Sequence, residues 1–227
     1  MNNINNKIIP AIMPKDLQEI ALSCDEISMK TRWAQIDLMD GQFVDSVSWP
    51  YQDQIFSLKE AEELKKLILE YKELSFEVDL MVSNPETIAP VFANAGVKRI
   101  IFHHKSLTDP RVIDRFEEFH PDIEIGIALQ LDDDISVIDQ YLPIVSTVQF
   151  MGIEKVGYQG QEFEESVLEK VKNLKEKYPD LDVQVDGGVN LETIKILSES
   201  GVDRFVSGSA VFKGSVEENI KKLESLI

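Results

Sequence analysis

The stretch DVQVDGGVNLETIKILSESGVDRFVSGSAVF, residues 182–212, decides the fold. It opens on a short alternating strand (182–187) and breaks at Gly187-Gly188. An amphipathic helix follows over 191–200, and a second strand (203–208) breaks at Gly208-Ser209. A strand, a turn, a helix and a strand in this order make one β/α repeat, whose two strands lie parallel.

Working outward from this stretch, the same alternation runs the length of the chain. Strand patterns fall at 7–13, 33–39, 74–82, 98–104, 123–129 and 145–151, besides the two already read. Helical patterns fall near 15–28, 59–72, 85–95, 109–119, 134–141, 161–177 and 215–226, besides 191–200. Asn84-Pro85 and Asn190 act as start signals. Eight β-then-α units in 227 residues predict a single-domain (β/α)8 TIM barrel spanning 1–227, the eighth unit closing the ring. No Ser/Pro/Gly linker or low-complexity block divides the chain.

Composition narrows the function. With 43% apolar and 28% charged residues, the chain has the makeup of a globular domain. A formal charge of −18 repels polyanions, so neither nucleic acid nor an anionic membrane is expected as a partner. The single cysteine, Cys24, cannot form an internal disulfide, and no apolar run approaches the ~20 residues of a membrane span. With MNNINNKIIP lacking a basic region before an apolar one, the expected location is the cytoplasm.

In a TIM barrel, chemistry is carried by polar residues at the C-terminal strand ends. Here these are Gln35 and Asp37, Glu77 and Asp79, His103 and His104, Asp186, Ser207 and Ser209. Period two puts Gln35 with Asp37, and Glu77 with Asp79, on common faces. Carboxylates on a barrel's inner face are costly unless partnered, which argues for function. The turns at Gly187-Gly188 and Gly208-Ser209 follow strands 7 and 8, where barrels frequently hold phosphate; glycine lets backbone N–H groups approach the anion. A phosphorylated small molecule is therefore the expected ligand. The longer connection DGQFVDSVSWPYQDQIFS (40–57) is the expected lid or contact with a second copy, with Phe43, Val47, Trp49 and Tyr51 read as packing residues.

The elements IIPAIM, IDLMDGQFV, VDLMVSNPE, FANAGVKRIIFHH, GIAL, GYQGQEF, VDGGVN and VSGSAVF, in this order, resemble the ribulose-phosphate 3-epimerase family over nearly the whole chain. The resemblance implies a sugar-phosphate 3-epimerase. Asp37 and Asp186 would shuttle protons through an enediolate, while Met39, Met81 and Met151 shield the reactive carbon. Phosphate would be held by Gly187, Gly188, Gly208, Ser209 and Gly160 of the GYQGQEF turn, and His103 aligns with a family histidine. The family's H-x-D-x-MDG reads Q-x-D-x-MDG here, at Gln35, and its D-x-H-L-M carries Asp79 in place of the histidine. The serine of its P-S-I-L opening is Ala11, and the strand-6 turn is about one residue longer.

Both metal-ligating histidines are thereby replaced. The implied set Gln35, Asp37, Asp79 and Asp186 is all oxygen, which suits magnesium or manganese rather than zinc or iron. With no metal at all, three convergent carboxylates would repel and one would take up a proton, unless Lys105 or His103 supplied positive charge. Two other readings remain open. An aldol-type lyase of the same barrel class would show D-x-K-x-x-D on strand 3, whose lysine EVDLMVSNP lacks. A non-catalytic sugar-phosphate-binding homologue would keep the turns with no need for both aspartates.

Overall fold

A computed structural model describes residues 7–52, 58–142 and 144–227. Part of the 40–57 connection, residues 53–57, and the first six residues lie outside the described residues. Eight parallel strands close into a barrel in sequence order, each paired with the next and the last with the first. They are β1 (Ile8–Ile12), β2 (Trp33–Met39), β3 (Ser75–Met81), β4 (Arg99–His103), β5 (Glu124–Leu129), β6 (Thr147–Met151), β7 (Asp182–Asp186) and β8 (Arg204–Ser207).

Around the barrel run α1 (Leu17–Ile27), α2 (Leu58–Glu70), α3 (Pro85–Ala95), α4 (Arg111–Phe119), α5 (Ser166–Lys177), α6 (Ile194–Ser200) and α8 (Val216–Glu224). A four-residue helix, α7 (Ser209–Phe212), begins directly after the Gly208 turn and was not anticipated by the apolar periodicity. The segment expected as a helix at 134–141 is instead a 3₁₀ turn, Ile135–Gln140, opened by Asp134, whose carboxylate accepts from Ser136 N at 2.8 Å. Local caps set the other ends. Asp16 caps α1 by accepting from Glu19 N at 2.8 Å, Pro85 opens α3, and Gly96, at φ 104°, closes it.

Alternation along each strand separates two interiors. Ile36 and Leu38, Val78 and Leu80, Phe102, Phe150, Val185 and Phe205 face outward and pack under the helices as the main apolar core. Truncating one such side chain, Ile36→Ala for example, costs about 2–5 kcal/mol. The inward set is largely polar, with Gln35, Glu77, Arg99, Gln149 and Gln184 each at most 1% exposed. An inner face dominated by branched aliphatics is the usual solution for this fold, so the polar filling calls for a chemical explanation.

Of the residues expected to pack in the 40–57 connection, Trp49 is buried and stands edge-on to Phe92, with ring centroids 6.0 Å apart. Phe43 stands edge-on to His103 at 5.2 Å, and Tyr51 is partly buried against the core. Val47 departs from the expectation: the residue is 43% exposed, held by a backbone bridge with Asp40 and by its Cγ2 lying over Gly41.

Candidate active site

The register between neighbouring strands stacks the inward side chains in layers. Gln35 lies beside Glu77, Asp37 beside Asp79 and Met39 beside Met81 along the β2–β3 pair. On the other side of the barrel Gln149 pairs with Gln184, and Met151 with Asp186, along β6–β7. Asp37, Asp79 and Asp186 thus meet at the C-terminal mouth, each with an oxygen within 4.8 Å of the others.

Three carboxylates this close need partners. Gln35 Nε2 donates to Asp37 Oδ1 at 2.8 Å and to Asp186 Oδ2 at 2.8 Å. Asp79 is hydrogen-bonded through Oδ1 to His103 Nε2 at 2.9 Å, and its Oδ2 accepts from Gln149 Nε2 at 3.1 Å. These donors do not cancel the crowding. Burial, then the charges of Asp186 and Asp79, hold the Asp37 carboxyl well above the usual carboxylate range. Burial and the charge of Asp79 push Asp186 up to about 8. Burial and mutual repulsion thus favour retention of a proton on the trio near neutral pH.

Above the trio opens a cavity of about 160 Å³, with Asp37 and Asp186 in its lining. Met81 and Met151 line it as well, together with the turns holding Gly187, Gly188, Gly208, Ser209 and Gly160. Gly188 is required by its conformation and surroundings: φ is +72°, and a Cβ there would stand 2.8 Å from Phe163 Cα. Gly152 is required by proximity, since a Cβ would stand 2.3 Å from the Gly187 carbonyl oxygen. That contact seats the β6 loop against the β7 turn.

Two of the expected ligand-contacting residues sit differently from the rest. Met39 is packed in an apolar cluster with Met81, Met151 and Ile101, and does not line the cavity. His103, fully buried, lies behind Asp79 as its hydrogen-bond partner, away from the cavity lining. Lys105 turns away from the trio to Asp132 and Gln130 on the surface. Gln35 is central but faces the carboxylates with its nitrogen, while its oxygen accepts from Gln184 Nε2 at 3.2 Å. Oriented this way it meets the aspartates as a donor. The three aspartate oxygens fit a hard divalent cation, which takes carboxylate oxygen.

Sequence reasoning missed Gln149 and Gln184, and it missed Gln159. Gln149 and Gln184 fall at inward positions of β6 and β7, so their parity was available in the sequence. Gln159 lies over Gly208, its Nε2 only 2.2 Å from where a Cβ would stand, and donates to the Ala11 carbonyl at 3.3 Å. No strand period reaches it, because it sits in a loop.

The fold and site define a (β/α)8 barrel whose C-terminal mouth joins a carboxylate trio, two of its members buried and Asp186 partly so, to glycine turns. The model of the ribulose-phosphate 3 epimerase family matches residues 7–212, and the chain belongs to that family. It is 29% identical to the ribulose-phosphate 3-epimerase of Candida glabrata over 215 residues, covering 92% of this chain and 86% of that one. To the cytoplasmic isoform of Oryza sativa subsp. japonica it is 28% identical over 211 residues, covering 91% and 87%. A solved structure of KGPDC from Streptococcus mutans superposes with a TM-score of 0.72 over 97% of this chain and 96% of that one, at 16% identity. That likeness is one of fold.

Proposed function

We propose that the chain is a sugar-phosphate 3-epimerase acting on a ketose phosphate, with Asp37 and Asp186 as the acid and base. The observation that carries this reading is their convergence. Two carboxyl groups with raised proton affinity border the same cavity as the Gly187-Gly188 and Gly208-Ser209 turns. A phosphate held at those turns by backbone N–H groups and Ser209 would bring the sugar's carbonyl end over the aspartates.

One aspartate, ionised, removes the proton next to the carbonyl; the other, protonated, returns one to the opposite face. Met81 and Met151 border the reacting carbon with apolar surface and keep bulk water from it. Asp37, Asp79 and Asp186 would hold magnesium or manganese in preference to zinc or iron, because the donors are carboxylate oxygens. Such a cation would offset the negative charge of the trio and polarise the substrate's oxygens. Gln35 keeps Asp37 and Asp186 at a fixed separation by donating to both. A cytoplasmic location is supported by the rice relative, which is named as a cytoplasmic isoform.

The test is incubation with ketopentose and ketohexose phosphates in deuterated water. Wild type incorporates deuterium at the carbon next to the carbonyl of at least one substrate. Asp37→Asn and Asp186→Asn each lose epimerisation, because an amide neither accepts nor delivers the proton. If sugar phosphates bind but none exchanges with any divalent ion, the epimerase reading fails in favour of a non-catalytic binding protein.

A further inference from the structure

Beneath the aspartates lies a continuous chain of buried hydrogen bonds with a single direction. It starts at Arg99, 1% exposed, whose guanidinium can only donate. Arg99 Nη1 donates to Glu77 Oε2 at 2.8 Å and approaches Gln184 Oε1 at 3.5 Å, so the Gln184 oxygen is turned toward the arginine. The Gln184 nitrogen must then face the other way. Its two N–H bonds serve three acceptors: Glu77 Oε1 and Gln149 Oε1, each at 2.7 Å, and, as the longer and shared contact, Gln35 Oε1 at 3.2 Å. With their oxygens so engaged, Gln149 and Gln35 present nitrogens upward, Gln149 to Asp79 and Gln35 to Asp37 and Asp186.

An amide can rotate by 180° and exchange donor for acceptor; a guanidinium cannot. Rotating Gln35 alone would set its NH2 against the NH2 of Gln184 and leave buried donors unpaired, which is costly at low dielectric.

We infer that Gln184, oriented by Arg99, is a positioning residue for the carboxylate trio: it locks Gln35 and Gln149 as hydrogen-bond donors and prevents the Gln35 oxygen from serving as a metal ligand. The inference rests on the proposed reading of the trio as the proton-transfer and cation centre. It adds that the amide at position 35 is a fixed donor and that its polarity is set two residues away, in the barrel floor. Donors to Asp37 and Asp186 hold the carboxylates together whether or not a cation is bound.

Two measurements, neither using turnover, test this. Neutron diffraction of wild-type crystals exchanged into deuterium oxide reads the amide orientation directly. Deuterium on the Gln35 atom facing Asp37 and Asp186 is expected, and an oxygen there overturns the inference. The second is a double-mutant cycle read by Mn(II) affinity, followed by electron paramagnetic resonance. In Gln184→Met the Gln35 amide is free to turn its oxygen to the cation, and affinity rises about ten-fold, the worth of one added bond to a charged group, whereas loss of a merely structural outer-shell partner lowers it. In a Gln35→Met background the same change gives no rise, since only the route through Gln149 to Asp79 remains. An unchanged affinity in Gln184→Met, or an equal change in both backgrounds, overturns the inference. If Gln184→Met fails to fold, the wild-type neutron map decides alone. Absence of turnover on every sugar phosphate would sink the epimerase reading and leave the amide orientation to be decided by these two results.

Discussion

Gln35 and Asp186, 151 residues apart in sequence, are joined across the barrel by a 2.8 Å hydrogen bond in which the amide nitrogen donates to the carboxylate. The same nitrogen reaches Asp37 Oδ1 at 2.8 Å, so one neutral side chain ties together the two aspartates assigned to proton transfer. Replacing Gln35 and Asp79 with histidine removes this amide and sets two imidazoles beside Asp37 and Asp186. Zinc affinity should rise roughly ten-fold or more, since imidazole suits zinc where an amide or an extra carboxylate does not. Competition with a zinc indicator measures it; wild type binding zinc as tightly as the double variant would contradict the assignment.

The raised carboxyl of Asp186 gives the metal-free protein a specific pH dependence. An unfolded aspartate titrates near about 4, whereas Asp186 in the fold titrates at about 8, held up by burial and by Asp79. Between these values the folded chain binds a proton that the unfolded chain has released, so stability falls as pH rises from about 4 and levels off above about 8. Urea unfolding over this range, with chelator present, should show the decline, and Asp186→Asn should remove part of it. A stability that rises with pH between about 5 and 8 would contradict the reading. Adding Mn(II) should release protons and flatten the slope.

The phosphate turns are testable at Gly188. Any side chain there must adopt φ near +72° and displace Phe163. Gly188→Ala should cost at least about 1–2 kcal/mol of stability, the penalty for left-handed backbone in a residue other than glycine, with the displacement of Phe163 added to it. Affinity for a sugar phosphate should drop about ten-fold or more, the worth of one hydrogen bond to a charged group. Calorimetric titration and chemical denaturation separate the two effects. Loss of stability with unchanged affinity would place phosphate elsewhere.

Gln159 covers the second turn. Its side chain rests on Gly208 and is held by the Ala11 carbonyl, so an anion arriving at that turn displaces it. Gln159→Ala should therefore tighten inorganic phosphate binding by about two- to ten-fold, the worth of one neutral hydrogen bond. Weaker binding in the variant would show instead that the amide donates to the anion.

Arg99 and Glu77, 1% and 0% exposed, form an ion pair in the barrel interior, and Arg99 also reaches Glu124. Arg99→Met leaves Glu77 without its charge partner and should destabilise the protein by about 3–5 kcal/mol. Arg99→Met combined with Glu77→Leu should recover much of that loss, because the uncompensated carboxylate is gone. Thermal unfolding of the three variants checks this. A double variant no more stable than Arg99→Met alone would point to the amides above, not the ion pair, as the source of the loss.

By itself the sequence determined the eight β/α units and hence the closed barrel, because strand and helix periods are local and each unit carries its own turn. It also placed Asp37, Asp79 and Asp186 on inward faces at strand ends, and the glycine turns beyond β7 and β8, since parity and turn chemistry need no long-range information. The 3₁₀ turn at Ile135–Gln140 escaped it because a short apolar repeat fits either helix. Only the tertiary structure decided which inward residues meet. Parity says that Gln35, Gln149 and Gln184 point inward; the stagger of eight strands decides that they touch each other. The direction of their hydrogen bonds follows from the Arg99–Glu77 pair at the floor: the guanidinium cannot accept, and the carboxylate beside it accepts from Gln184 Nε2 at 2.7 Å. The family resemblance implied Gln35 as an oxygen ligand; in the structure its nitrogen faces the aspartates and its oxygen faces Gln184.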